Sequence, residues 1–100
     1  MRITGGVARG FHVSAPRGSE VRPTSDRVRS AVFQLIEGAV EDAAVLDLYA
    51  GTGAVGIEAL SRGASGVVFV EQDPRMCRAI SRNLVATGFS ERGSIRRAKV

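Results

Sequence analysis

A chain of 100 residues with one cysteine, one histidine, one lysine, one tyrosine and no tryptophan has little with which to build metal sites or disulfides. Cys77 alone closes no internal bridge, and His12, with no other His or Cys nearby, offers no metal-ligand cluster. Beside Met76 in an expected helix, Cys77 reads as a small core residue. Long apolar runs are missing too. None approaches the 18 or so residues of a membrane-crossing helix, and no apolar segment follows the basic first residues as it does in a secretion signal. The expectation is a cytoplasmic protein without a membrane partner, acting as a monomer. Repeats and low-complexity segments are absent as well.

Acidic residues are scarce at one end. Residues 1–36 hold Arg2, Arg9, Arg17, Arg22, Arg27 and Arg29 against only Glu20 and Asp26, whereas residues 37–100 are balanced, so the whole net charge of +4 lies in the first third. Of the 14 basic residues all but Lys99 are arginine. The planar arginine fork suits phosphates and stacks on bases, which points to a nucleic-acid partner. A high-GC coding bias or a solvated basic face would leave the same composition.

The 44% apolar content suits one globular domain, able to bury about 60% of the surface of its unfolded chain. Residues 1–23 read as an arm, with Arg2 to Thr4 and Ala8 to Val13 as the sides of a short hairpin and Ser14 to Pro23 as loop. Thr24 or Ser25 can cap a first helix on which Val28, Ala31, Val32, Leu35 and Ile36 recur at helical spacing, a stripe expected to pack inward. Arg27 and Arg29 would then flank it and extend one basic surface with Arg22 and the arm, unless they serve only solubility or a salt bridge to Asp26. After a loop at 38–43, strands and helices alternate: a strand at 45–49, a helix from Ala54 to Arg62 closed by Gly63, and a strand at 67–71. A second helix follows, capped by Asp73, opened by Pro74 and ended near Gly88, with Met76, Ile80 and Leu84 inward. Phe89 is expected to fold back on its end, and a third strand at 94–97 comes last.

The most telling segment is Val45-Leu46-Asp47-Leu48-Tyr49-Ala50-Gly51-Thr52-Gly53-Ala54-Val55-Gly56, an apolar strand entering a glycine turn that opens a helix. Glycines at 51, 53 and 56 fit G-x-G-x-x-G, whose backbone approaches a nucleotide closely and whose last glycine lets the helix press on the sheet. The spacing by itself also occurs in turns without ligands. Asp47 narrows the choice. A carboxylate beside the turn would repel the pyrophosphate of a dinucleotide but attract the sulfonium and ammonium of S-adenosylmethionine. Glu71 ends the next strand 20 positions after Gly51, where a carboxylate can accept hydrogen bonds from ribose hydroxyls of either ligand. A strand-end carboxylate can also be a plain helix cap.

Alternating apolar strands and helices imply a doubly wound, Rossmann-like α/β sheet of parallel strands, with helices on both faces and the ligand at the carboxyl ends. Three strands do not complete such a sheet, and a bare parallel edge is a liability. The chain is therefore expected to be the first part of a longer protein, residues 24–100 forming the start of its cofactor domain.

Arg22-Pro23-Thr24-Ser25-Asp26-Arg27-Val28-Arg29-Ser30-Ala31-Val32-Phe33, the strand and turn at 45–53, and Glu58-Ala59-Leu60-Ser61-Arg62-Gly63-Ala64 together resemble the RsmD-type ribosomal RNA (guanine-N2)-methyltransferases of bacteria. The resemblance implies methyl transfer from S-adenosylmethionine to the exocyclic amine of a guanine in 16S rRNA, free or in an assembling small ribosomal subunit. It further implies that Asp47, Tyr49, Ala50, Gly51, Thr52 and Gly53 border the cofactor, with Glu71 on the ribose and Gln72 near the adenine. Arg2, Arg9, Arg22, Thr24, Arg27 and Arg29 are the candidate RNA contacts. Two departures stand out. Arg97-Ala98-Lys99-Val100 lacks the acid that such enzymes place near the adenine amine, and the Asn/Asp-Pro-Pro-Tyr/Phe motif that orients the target amine would fall beyond residue 100. No catalytic residue is thus expected here, and the 100 residues alone would be inactive. An NAD-binding oxidoreductase module and a non-catalytic RNA-binding or assembly domain are the rival readings.

Overall fold

The computed structural model describes residues 1–18 and 25–100. Three parallel strands, β1 (Ala44–Leu48), β2 (Gly66–Glu71) and β3 (Gly93–Arg97), lie in the order β1-β2-β3. Asp47 pairs with Phe69 and Phe69 with Ile95 across the sheet. Between the strands run α3 (Ala54–Ser61) and α4 (Pro74–Thr87); before them come α1 (Asp26–Leu35) and a single turn, α2 (Glu37–Val40), where loop was expected.

The helix ends follow the chemistry of their residues. Ser25 caps α1 by accepting from the Val28 N–H, and Asp73 caps α4 by accepting from the Arg75 N–H, with Pro74 at the first helical position. Gly88 ends α4 in the left-handed region at φ 79°, the Phe89 N–H returns to the Leu84 carbonyl, and the Phe89 ring is buried as expected.

Both α3 and α4 pack on one face of this three-stranded part of the expected Rossmann-like sheet. Phe69, fully buried, lies against Gly53 and Gly56 at the start of α3, and Ile80 of α4 reaches the same Gly53. The reason is topological: strands added in a single direction through right-handed crossovers carry their helices to the same side. The opposite face is left open at β1, where Leu46 is 61% and Leu48 44% exposed.

A second departure concerns α1. Val28, Val32, Leu35 and Ile36 face outward, and the buried residues of the helix are Arg29 and Phe33. Burial is decided by what the helix meets: Glu58 of α3 receives Arg29, and the guanidinium of Arg62 lies 5.4 Å from the centre of the Phe33 ring. Cys77 is also half-buried rather than core, with its Sγ 3.5 Å from the Glu71 carbonyl.

The arm forms the expected hairpin. Arg2 bridges His12, Ile3 and Val13 are buried, and the whole unit lies on α3 and α4. Gly6, at φ 80°, presses so closely on α3 that a Cβ would stand 1.9 Å from the Ser61 carbonyl oxygen.

Candidate functional site

Parallel strands end on one side of the sheet, so the residues that follow β1, β2 and β3 gather there. After β1, Tyr49 takes the left-handed region at φ 56°, uncommon for a residue with a Cβ, and its side chain is 76% exposed. Gly51 and Gly53 continue the turn at φ 57° and 86°. A cavity of about 320 Å³ opens beside it, lined by Tyr49, Val70, Glu71, Gln72, Ala98, Lys99 and Val100. Ala98 to Val100, where the expected acid is missing, thus contribute to its wall, and the Ala98 N–H is held by the Glu71 carbonyl.

Glu71 ties this region together. One carboxylate oxygen accepts from the Gly51 N–H at 2.8 Å and the other from the Asp73 N–H at 2.9 Å, so the end of β2 fixes both the glycine turn and the start of α4. Asp47 is buried and accepts from the Gly56 N–H, in the first turn of α3, at 3.1 Å. The cap role open to a strand-end aspartate is therefore one that Asp47 fills. Burial raises its pKa to about 6 against the pull of that N–H, with the Glu71 charge adding to the rise. Gly56 shows why the third glycine is needed, since a Cβ there would sit 2.2 Å from the Phe69 ring. Thr52 is buried, and Ala50 donates its N–H to the Val70 carbonyl.

The arginine candidates separate. Arg2, Arg9 and Arg27 are exposed, whereas Arg29 is 1% exposed and cannot extend a basic surface. Its Nε donates to Glu58 at 3.0 Å and its Nη2 to Asp26 at 2.9 Å and to the Arg2 carbonyl. Arg22 and Thr24 lie outside the described residues.

Two buried polar residues escaped sequence reasoning. Glu58 takes Arg29, Arg62, the Thr4 N–H and hydroxyl, and the Gly5 N–H; burial pushes its pKa up, but these donors outweigh it and hold the carboxyl below the ordinary range. Asn83 links α4 to the arm and to the glycine turn. Each carries a signal in the sequence: Glu58 with Arg62 is an i, i+4 pair inside an apolar helix, and Asn83 interrupts the inward row of α4 next to Leu84.

The full length, residues 1–100, matches the family Cons_hypoth95, Conserved hypothetical protein 95. The ribosomal RNA small subunit methyltransferase D of Escherichia coli strain K12 is 44% identical over 85 residues, which cover 85% of this chain and 41% of that protein. Among solved structures, a hypothetical protein of Thermus thermophilus aligns at a TM-score of 0.85 and 35% identity, over 100% of this chain and 56% of that one. An RNA methyltransferase of Salinibacter ruber, in complex with S-adenosyl-L-homocysteine, shares the fold at a TM-score of 0.71 and 23% identity, over 78% and 50% of the two chains. The chain spans less than half the length of the E. coli relative. Its whole length matches that family model and it is 44% identical to the E. coli protein over 85 residues, so this chain belongs to the Cons_hypoth95 family, the RsmD-type methyltransferases.

Proposed function

We propose that the protein of which this chain is part transfers the methyl group of S-adenosylmethionine to the exocyclic N2 amine of a guanine in 16S rRNA, and that Asp47, residues 49–53, Glu71 and Gln72 form its cofactor site. The observation that carries the reading is the Asp47 carboxylate on the first turn of α3. It occupies the N–H of Gly56 and puts negative charge where a dinucleotide would bring its pyrophosphate. A cationic ligand gains from the same charge.

The donor set fits such a ligand. Glu71 uses one lone pair of each oxygen on backbone N–H groups and keeps the others for ribose hydroxyls. Tyr49, Val70 and Gln72, with the backbone at 98–100, wall the adjoining cavity in which an adenine would lie. Asp47, behind the glycine turn, would attract the cofactor's positive charge. When bound, the cofactor supplies a methyl group made electrophilic by its sulfonium. The chain's contribution is to hold and orient, since rate comes from keeping amine and methyl in a near-attack arrangement, with the base splayed from its stack. The methyltransferase name borne by the E. coli relative supports this assignment.

Calorimetry on the complete protein tests it. S-adenosylhomocysteine should bind and NAD should not, and Glu71→Ala should cost about 1.5–3 kcal/mol of S-adenosylhomocysteine affinity, the worth of hydrogen bonds to a charged group. NAD binding the more tightly, or a Glu71→Ala protein with unchanged affinity, rejects the site. Failure of the complete protein to incorporate labelled methyl into 16S rRNA or small-subunit particles would leave a binding domain instead.

A further inference from the structure

Asn83 lies on the buried side of α4, 1% exposed, with its amide fully engaged outside the helix. Its Nδ2 donates to the Ser14 carbonyl at 3.0 Å and to the Thr52 carbonyl at 3.1 Å. Its Oδ1 accepts from the Ser14 N–H at 3.1 Å and from the Ser14 hydroxyl at 2.9 Å. One side chain on α4 thereby joins the arm to the middle of the glycine turn. The Thr52–Gly53 peptide is gripped at both ends, its carbonyl by Asn83 and its N–H by the Ala50 carbonyl at 2.9 Å.

We propose that Asn83 is a positioning residue: through Thr52 it fixes the turn against the methionine half of the cofactor, and through Ser14 it makes that fixation depend on a docked N-terminal arm. The proposal rests on the cofactor reading above. Only a primary amide at this reach supplies two donors and two acceptances together. Aspartate at 83 has no donor for the Ser14 and Thr52 carbonyls, and leucine leaves both sides buried without partners, which is costly. The arm has independent moorings on α3, where Thr4 and Gly5 donate to Glu58 and Ala8 donates to Ser61. Loss of Asn83 therefore frees the turn while the arm keeps a hold on the body.

The direction of the effect distinguishes positioning from general support. Asp47, Gly51 and Gly53 border the methionine half, whereas Glu71 and Gln72 serve the nucleoside half. In the complete protein, Asn83→Asp should weaken S-adenosylhomocysteine about tenfold or more by calorimetry and leave adenosine within about twofold, a tenfold change being about 1.4 kcal/mol. Amide exchange at Gly53 and Ser14 should accelerate together. Ser14→Ala, which removes only the hydroxyl's hydrogen bond to Asn83 and leaves the fold intact, should weaken S-adenosylhomocysteine about twofold to fivefold with adenosine again unmoved. Equal weakening of both ligands, or unchanged S-adenosylhomocysteine binding in Ser14→Ala and in a folded Asn83→Asp, overturns the proposal. A wild-type protein that binds adenosine and NAD but not S-adenosylhomocysteine would instead refute the cofactor assignment.

Discussion

Gly56 has no room for a side chain, and that is a statement about Phe69. A Cβ would meet the ring at 2.2 and 2.7 Å and Val67 at 2.9 Å, so helix and sheet would have to separate. Gly56→Ala should destabilise the fold by about 1–3 kcal/mol, the usual cost of overpacking, read as a lower urea midpoint with unchanged slope. Asp47 makes the other residue-scale case. Its pKa of about 6 in the folded protein lies above the ordinary 3.8, so between those values the folded state holds a proton that the unfolded chain has lost. Its contribution to stability is fully present below 3.8 and is lost as the pH rises through about 6. A cationic cofactor favours the ionised form and pulls the pKa back down. Binding of S-adenosylmethionine at pH 6 should therefore release a proton, seen as a buffer-dependent enthalpy in calorimetry, and affinity should improve from about pH 5 to 7. Asp47→Asn should abolish the release; its persistence in that variant would assign the proton to another group.

At the scale of elements, the Glu58 carboxylate of α3 takes hydrogen bonds from both the arm and α1. Glu58→Gln takes the buried carboxylate away from Arg29 and Arg62 at once, leaving Arg29 its bonds to Asp26 and the Arg2 carbonyl, so a loss of about 3 kcal/mol, the low end for breaking a buried pair, is expected in denaturant titrations. Glu58 and Asp26 both sit below their ordinary pKa, Asp26 chiefly because Arg29 donates to it. Their stabilisation is present above the ordinary values of 4.5 and 3.8 and drains away as the pH falls below them. Amides of Thr4 and Gly5 should then lose exchange protection in acid before those of β2 do. Elements set by local chemistry were legible in the sequence: the caps at Ser25 and Asp73, Pro74, the glycine stop at 88, and the turn at 51–53 depend on neighbours within a few positions. The face of α1 was not. Its apolar row is longer than its buried one, and only Glu58, 29 positions beyond Arg29, decides which side turns in. The carboxyl-end gathering of Tyr49, Glu71 and Gln72 around one cavity could be read from strand order alone, whereas Asn83 reaches the turn only through tertiary contact.

For the whole molecule, sheet and charge are both one-sided. The helices and the arm cover the face that carries Phe69, and the other face shows Leu46 and Leu48, an asymmetry that depends on strand order and so is invisible to any local pattern. The charge excess of residues 1–36 is likewise less available than its count implies, because Arg29 is consumed inside. What remains outward among the described candidates is Arg2, Arg9 and Arg27. If these meet an RNA backbone, each contact releases counterions, and the slope of log affinity against log salt counts them. Arg9→Ala and Arg27→Ala should each reduce that slope by about 1 for binding of a 16S rRNA fragment to the complete protein, without lowering its unfolding midpoint. Arg29→Ala should do the reverse, lowering the midpoint because buried Glu58 loses one of its two arginines, and leaving the salt slope of the remaining folded protein unchanged. A slope insensitive to Arg9 and Arg27 would move the RNA surface off this part of the molecule, and the arginine-rich first third would then be a solvated face whose one buried member holds the fold.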